Sequence, residues 1–192
     1  MTDKKRITVV VGSTRPSRIC GDVAAWTLAR LQEASGLGYG LVDLAGIALP
    51  FLDEPVKAAA QQYAHEHTRA WSELVQSYHG FVFVFPQYNW GYPGVLKNAL
   101  DYLCREWRDR PASLLAYGTR GGGKAAEQFV TVLHGLHMRV LGTHVEAVIT
   151  DADVDDNGKL RDIEGTLRPN RALLRKIDEE MTEALSRQWL EE

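Results

Sequence analysis

Residues 81–85 read Phe-Val-Phe-Val-Phe and run straight into Pro-Gln-Tyr-Asn-Trp-Gly-Tyr-Pro-Gly at 86–94. Nothing polar interrupts the apolar run, so a strand made from it must bury both faces. A parallel sheet covered by helices on each side meets that demand. Open sheets of this kind bind ligands in the loops at the carboxyl ends of their strands. The loop after Phe85 carries three aromatics, two prolines and two glycines. Such a loop suits a flat, partly apolar, hydrogen-bonding ligand.

The rest of the chain alternates in the same style. Further strands are expected at 7–11, 39–44, 113–117 and 140–149, with the central one at 80–85. Helices are expected over 19–35, around Trp71 and Val75, from near Gly94, around Phe129 and Leu133, and around Leu174 and Ile177. Strands alternating with helices predict an α/β fold: a doubly wound, five-stranded parallel sheet with helices on both faces. Right-handed crossovers favour the flavodoxin-like order 2-1-3-4-5. Its switch point lies between strands one and three. The loops after Val11 and Phe85 should then border one crevice, with the turn after Tyr117 as a third wall.

A length of 192 residues fits one domain. A net charge of −3 gives no footprint for nucleic acid or an anionic membrane. The apolar run after the charged start is too short for a signal-peptide core, and no run approaches a membrane span. Cys20 and Cys104 form no redox or metal motif, in keeping with a cytoplasmic protein.

Two turns carry the candidate chemistry. Gly12-Ser13-Thr14-Arg15-Pro16-Ser17-Arg18 joins strand one to helix one, which begins near Ile19. Free N–H groups at a helix start suit a phosphate; Ser13 and Ser17 add hydroxyls, and Arg15 and Arg18 add charge. Equally, Ser17 can be a simple N-cap and Arg18 a solvated residue. The turn is neither a P-loop nor G-x-G-x-x-G. In the second turn Tyr88, Trp90 and Tyr92 offer ring faces, the backbone N–H groups of residues 87–90 can meet ring oxygens and nitrogens, and the Asn89 amide can donate and accept. The bland alternative is an aromatic cap over the core. Gly118, Gly121 and Gly122, in the glycine-rich turn at 118–123, allow a backbone to approach the same ligand; a plain helix-start turn explains them as well.

On these residues, from Gly12 to Arg18 and from Pro86 to Asp101, the chain resembles the NADPH-dependent FMN reductases of the flavodoxin-like superfamily. The resemblance implies that Ser13, Arg15, Ser17 and the start of helix one hold the FMN phosphate. It also implies that Pro86, Gln87, Tyr88 and Asn89 touch the isoalloxazine, with Gly118 at its pyrimidine side. Electrons would pass from NADPH or NADH through FMN to a quinone, azo, nitro or similar small-molecule acceptor by ping-pong kinetics. The protein would position the cofactor without a catalytic acid or base. A homodimer or homotetramer is implied as well. Members often carry Glu in place of Gln87, and His or Gly followed by Ser in place of Trp90-Gly91. Those departures bear on substrate range more than on FMN. The alternative reading is a flavodoxin-like electron carrier without pyridine-nucleotide activity; Arg15 and Arg18 favour the reductase.

Two further patterns compete for attention. Asp153 to Glu164 matches the EF-hand calcium loop, Gly158 included, but follows a strand and carries Lys159 and Arg161. A polar turn explains it without calcium. His65 and His67, at i and i+2 on an expected helix, lie on different faces and suit a zinc site poorly.

Overall fold

The Phe-Val alternation of the central strand decides which layer packs where. The computed structural model describes residues 4–33 and 35–186. In chain order its elements are β1 (Arg6–Val11), α1 (Cys20–Gln32), β2 (Gly38–Asp43), the single-turn α2 (Leu44–Ile47) and α3 (Glu66–Gln76). Then come β3 (Gly80–Pro86), α4 (Gly94–Asp101), β4 (Pro111–Gly118), α5 (Gly123–Gly135) and the short β5 (Arg139–Val140). β6 (Val145–Val148), α6 (Ile163–Leu167) and α7 (Arg171–Ser186) follow.

Successive residues of β3 point to opposite faces. Phe81, Phe83 and Phe85 face a layer of α3, α4 and α5, where they meet Trp71, Trp107, Leu96 and Phe129. The ring of Phe85 lies 4.7 Å from that of Phe129, centroid to centroid. Val82 and Val84 face α1 and α7, among Val23, Leu31, Leu174 and Ile177. Large residues on one face and small on the other let the sheet carry three helices on one side and two long ones on the other. Burying each phenylalanine contributes about 1.5–3 kcal/mol.

The sheet order is β2-β1-β3-β4-β5, with every ladder parallel, as expected. The expected fifth strand at 140–149 is broken in two. β5 pairs with Pro111 and Ala112, and β6 pairs with residues 115–118 farther along β4. Between them Thr143 turns away: its N–H and hydroxyl donate to Glu180 on α7 at 2.9 and 2.6 Å. Its carbonyl accepts from Ser113 Oγ at 2.8 Å. A side-chain tie to a distant helix has displaced ladder bonds, which no local pattern announces. α1 ends at Gln32 rather than near residue 35, and α6 is an added turn capped by Asp162, which accepts from the Gly165 N–H at 2.8 Å.

The histidine pair also differs from expectation. His65 is the extended N-cap residue of α3 rather than part of it. Its ring therefore stacks on that of His67, 5.1 Å between centroids, and both side chains approach Asp53. Among the described residues no helix is long and apolar enough to cross a membrane.

Candidate functional site

β1 and β3 are neighbours in the sheet, and their carboxyl ends deliver the two candidate turns side by side. The Gly12 N–H donates to the Val84 carbonyl at 2.8 Å. A Cβ there would fall 3.0 Å from that carbonyl oxygen and 3.1 Å from Phe85 Cβ, so this entry point accepts only glycine without displacement. Beyond it the first turn leaves the sheet. Among the described residues, the amide N–H groups of residues 14, 15, 17 and 19 donate to no protein acceptor, while that of Ser13 is directed at the Cys20 sulfur. That of Arg18 donates to the Arg15 carbonyl at 3.0 Å. Ile19, not Ser17, is the N-cap residue of α1, and no side chain caps it. The first turn of α1 thus keeps its orphan donors and its positive dipole end facing outward.

Arg15 and Ser17 are exposed beside those amides. Arg18 is half-buried and ion-paired with Asp43 at 2.5 Å, and Asp43 also caps α2. Ser13 is fully buried; its hydroxyl meets the Tyr88 phenol at 3.0 Å. Cys20, at the start of α1, donates its thiol to the Val84 carbonyl at 3.3 Å. Burial pushes that thiol up to about 11, against the opposing pull of a hydrogen bond with Tyr117. Burial, and then Cys20, raises the Tyr117 phenol far above its ordinary value.

The second turn is built differently. Tyr88 and Gly91 exchange two backbone hydrogen bonds, 2.8 and 2.9 Å, closing a two-residue hairpin. Its central residues, Asn89 and Trp90, have φ of 48° and 70°. Two positive φ values mark a type I′ turn, where Asn-Gly is the favoured pair. Trp90 in that place costs about 1–2 kcal/mol of backbone strain. Tyr92 packs on Phe129 at 5.1 Å and Phe85 at 6.3 Å, so this one aromatic is the core cap. Trp90 remains 68% exposed. Gln87 accepts from the Ala125 N–H through Oε1 at 3.1 Å and ties the turn to the start of α5.

Between the turns lies a cavity of about 360 Å³, within the range of small-molecule sites. Arg15, Ser17, Arg18 and Ile19 form its first wall, and Pro86, Gln87 and Tyr88 its second. Tyr117, Gly118 and Thr119 form the third. Ser13, bonded to Tyr88, is not in the lining, and neither are the exposed Asn89 and Trp90. Gly121 and Gly122 are buried behind the third wall with φ of 88° and 76°. A Cβ on Gly122 would sit 2.9 Å from the Tyr117 nitrogen, so that glycine serves the close packing of β4 on α5.

A fourth wall was missed. Ile149, Thr150, Asp151, Val154 and Gly158 follow β6 and close the remaining side. The signal was available: this segment also leaves a parallel strand at its carboxyl end. The calcium-like motif is the roof. Asp153 accepts from the Thr150 N–H and hydroxyl at 2.7 Å each. Asp155 accepts from the amides of Asn157 and Lys159 at 2.9 and 2.8 Å. Glu164 accepts from Trp26 Nε1 at 2.7 Å. These carboxylates fold a turn whose tip, Gly158, packs against Ser17. Lys159 holds the turn to α1 through Asp22 at 3.2 Å.

The cavity therefore has a cationic end rich in N–H donors and an aromatic, backbone-lined end. Comparisons with known proteins agree with that chemistry. The sequence profile described as NADPH-dependent FMN reductase matches residues 5–152. An NAD(P)H-dependent FMN reductase of Saccharomyces cerevisiae is 40% identical over 148 residues, covering 71% of this chain and 78% of the yeast protein. A 2-hydroxy-1,4-benzoquinone reductase from Burkholderia is 30% identical over 147 residues, covering 75% of this chain and 73% of its own. Among solved structures, the NAD(P)H:(acceptor) oxidoreductase FerB from Paracoccus denitrificans superposes with a TM-score of 0.71 at 19% identity, covering 94% of this chain and 98% of FerB.

Proposed function

The chain belongs to the NADPH-dependent FMN reductase family, and from that premise we propose an NAD(P)H-dependent, FMN-containing oxidoreductase whose second substrate is a quinone-type acceptor. The observation that carries this reading is the polarity of one cavity. Unbonded amides and Arg15 stand at one end, and Pro86, Gln87 and Tyr88 at the other. The residues fit FMN, a dianionic phosphate joined to a flat heteroaromatic ring. Arg15, Ser17 and the amide N–H groups of residues 14, 15 and 17 would hold the phosphate, and Arg18 would add a charge shared with Asp43. Pro86, Gln87 and Tyr88 and the turn at Gly118 would meet the ring. FMN held there would supply two-electron redox chemistry between a nicotinamide and the acceptor. The protein's part is to bind, orient and shield. The roof at Val154 and Gly158 excludes water from the phosphate end, which strengthens its charge-assisted bonds.

A quinone-type acceptor is favoured because the Burkholderia relative carries that activity in its name. We assign the chain to the cytosol, consistent with its two free cysteines. A dimer is the simplest oligomer. Phe51 and Leu52 are 89% and 47% exposed, yet the loop bearing them is pinned to α4 by Asn98 and Tyr102. We take this pinned, exposed apolar pair as part of the surface that a second copy would cover. The decisive experiment is an anaerobic spectrum. The protein should take up FMN and be bleached by NADPH, then recover colour with a quinone. A protein that leaves FMN free would sink the cofactor assignment. One that binds FMN without bleaching would be an electron carrier.

A further inference from the structure

Of the aromatics in the second turn, Trp90 alone has no structural duty. Tyr92 fills the core and Tyr88 is bonded to Ser13. Trp90 occupies a strained left-handed position, where glycine is favoured, and stays mostly exposed. That placement buries only about a third of the side chain. Its side chain borders a second cavity, of about 550 Å³, that shares Gln87 with the first and is otherwise lined chiefly by the start of α5.

The charges of this second cavity are unevenly committed. Glu146 lies against the N-terminus of α5, where a Cβ on Gly123 would fall 2.6 Å from Oε2, and it also bonds His144 at 3.0 Å. Glu127 pairs with Lys124 at 3.6 Å. Arg120 pairs with no acidic side chain among the described residues. An electron-rich indole face and an uncommitted guanidinium thus share one rim.

We propose that Trp90 and Arg120 form an acceptor subsite. It takes planar, electron-poor aromatics bearing an anionic substituent, with the ring against Trp90 and the anion toward Arg120. The subsite deepens the reductase reading and rests on it, since it names the class of the second substrate. Trp90 is a specificity residue: it selects what is reduced, and its strain is the cost of holding that face in the open.

The test is equilibrium dialysis of a naphthoquinone sulfonate, and of the uncharged naphthoquinone, against FMN-loaded protein without reductant. Trp90→Gly should weaken both about tenfold, the loss of one stacked ring. Trp90→Phe should stay within about threefold of wild type, because a ring face is retained. Arg120→Ala should weaken the sulfonate alone, by about fivefold, as expected of one exposed charge pair. Melting temperature for Trp90→Gly should hold or rise, since glycine relieves the left-handed strain. Unchanged affinities in Trp90→Gly, equal losses of both quinones in Arg120→Ala, or a melting temperature several degrees lower in Trp90→Gly would each overturn the subsite. Bleaching of the wild type by NADPH is read separately. If it fails, the reductase assignment falls, while dialysis still decides whether the subsite exists.

Discussion

The turns after β1 and β3 leave adjacent strands at the same edge of the sheet, yet they are opposite in construction. The first, residues 12–19, has few internal hydrogen bonds and leaves four amides unbonded to protein among the described residues. The second, residues 86–93, is a closed hairpin bonded to itself, to α5 through Gln87 and to the core through Tyr92. One is a set of donors that a bound anion completes; the other is a finished shelf. A charged tail is recognised by groups that gain partners on binding, whereas a flat ring is recognised by a surface already in place. Among the described residues, the Tyr88–Ser13 hydrogen bond is the one side-chain bond that joins the two turns directly.

The largest expected effect falls on the incomplete turn. Arg15→Ala should weaken FMN binding by about thirtyfold, near 2 kcal/mol for one charge-assisted contact, read by fluorescence titration. Arg18→Ala should cost less, because Asp43 already holds that guanidinium. Equal losses would show that both arginines serve the phosphate alike. Arg120→Ala should leave FMN affinity near wild type, and a matching loss there would remove the phosphate end from the first turn. Gly12→Ala comes next. Its Cβ presses on the Val84 carbonyl and Phe85 at the root of both turns, so urea unfolding should show a loss of about 1–3 kcal/mol. A neutral result would mean that the root is pliable.

Tyr88→Phe removes the link between the turns. A loss of about 1 kcal/mol is expected in thermal unfolding, with a parallel loosening of FMN. If the melting temperature falls while FMN affinity does not move, the hairpin is positioned without help from the first turn. The smallest effect concerns Cys20, whose buried thiol is raised from 9.0 to about 11. The unfolded thiol ionises first, so its contribution is fully present below pH 9.0 and fades as the pH climbs toward about 11. Iodoacetamide at pH 8 should therefore spare Cys20 in the native protein. Rapid labelling there, seen by mass spectrometry, would contradict the burial.

Much of the frame was legible from periodicity alone. A two-sided apolar strand at 81–85 forces helices onto both faces, and alternation of elements then leaves the 2-1-3-4-5 order. The two candidate turns were readable because glycine, hydroxyl, arginine and aromatic residues cluster within a few positions of a strand end. What stayed hidden involves partners distant in sequence. Ser13 reads as a phosphate ligand until Tyr88, 75 residues away, is seen to hold it. The fifth strand reads as continuous until Glu180 draws Thr143 out of the ladder.

The sequence by itself determined the layers, the strand order and the two turns, because those follow from local pattern and chain handedness. Only the tertiary structure decided that Tyr92 is a core cap while Trp90 stands open. It alone turned a calcium-like string of carboxylates into the roof over Ser17. Residue type states what a side chain can do; which of its options is already satisfied depends on neighbours that folding brings together.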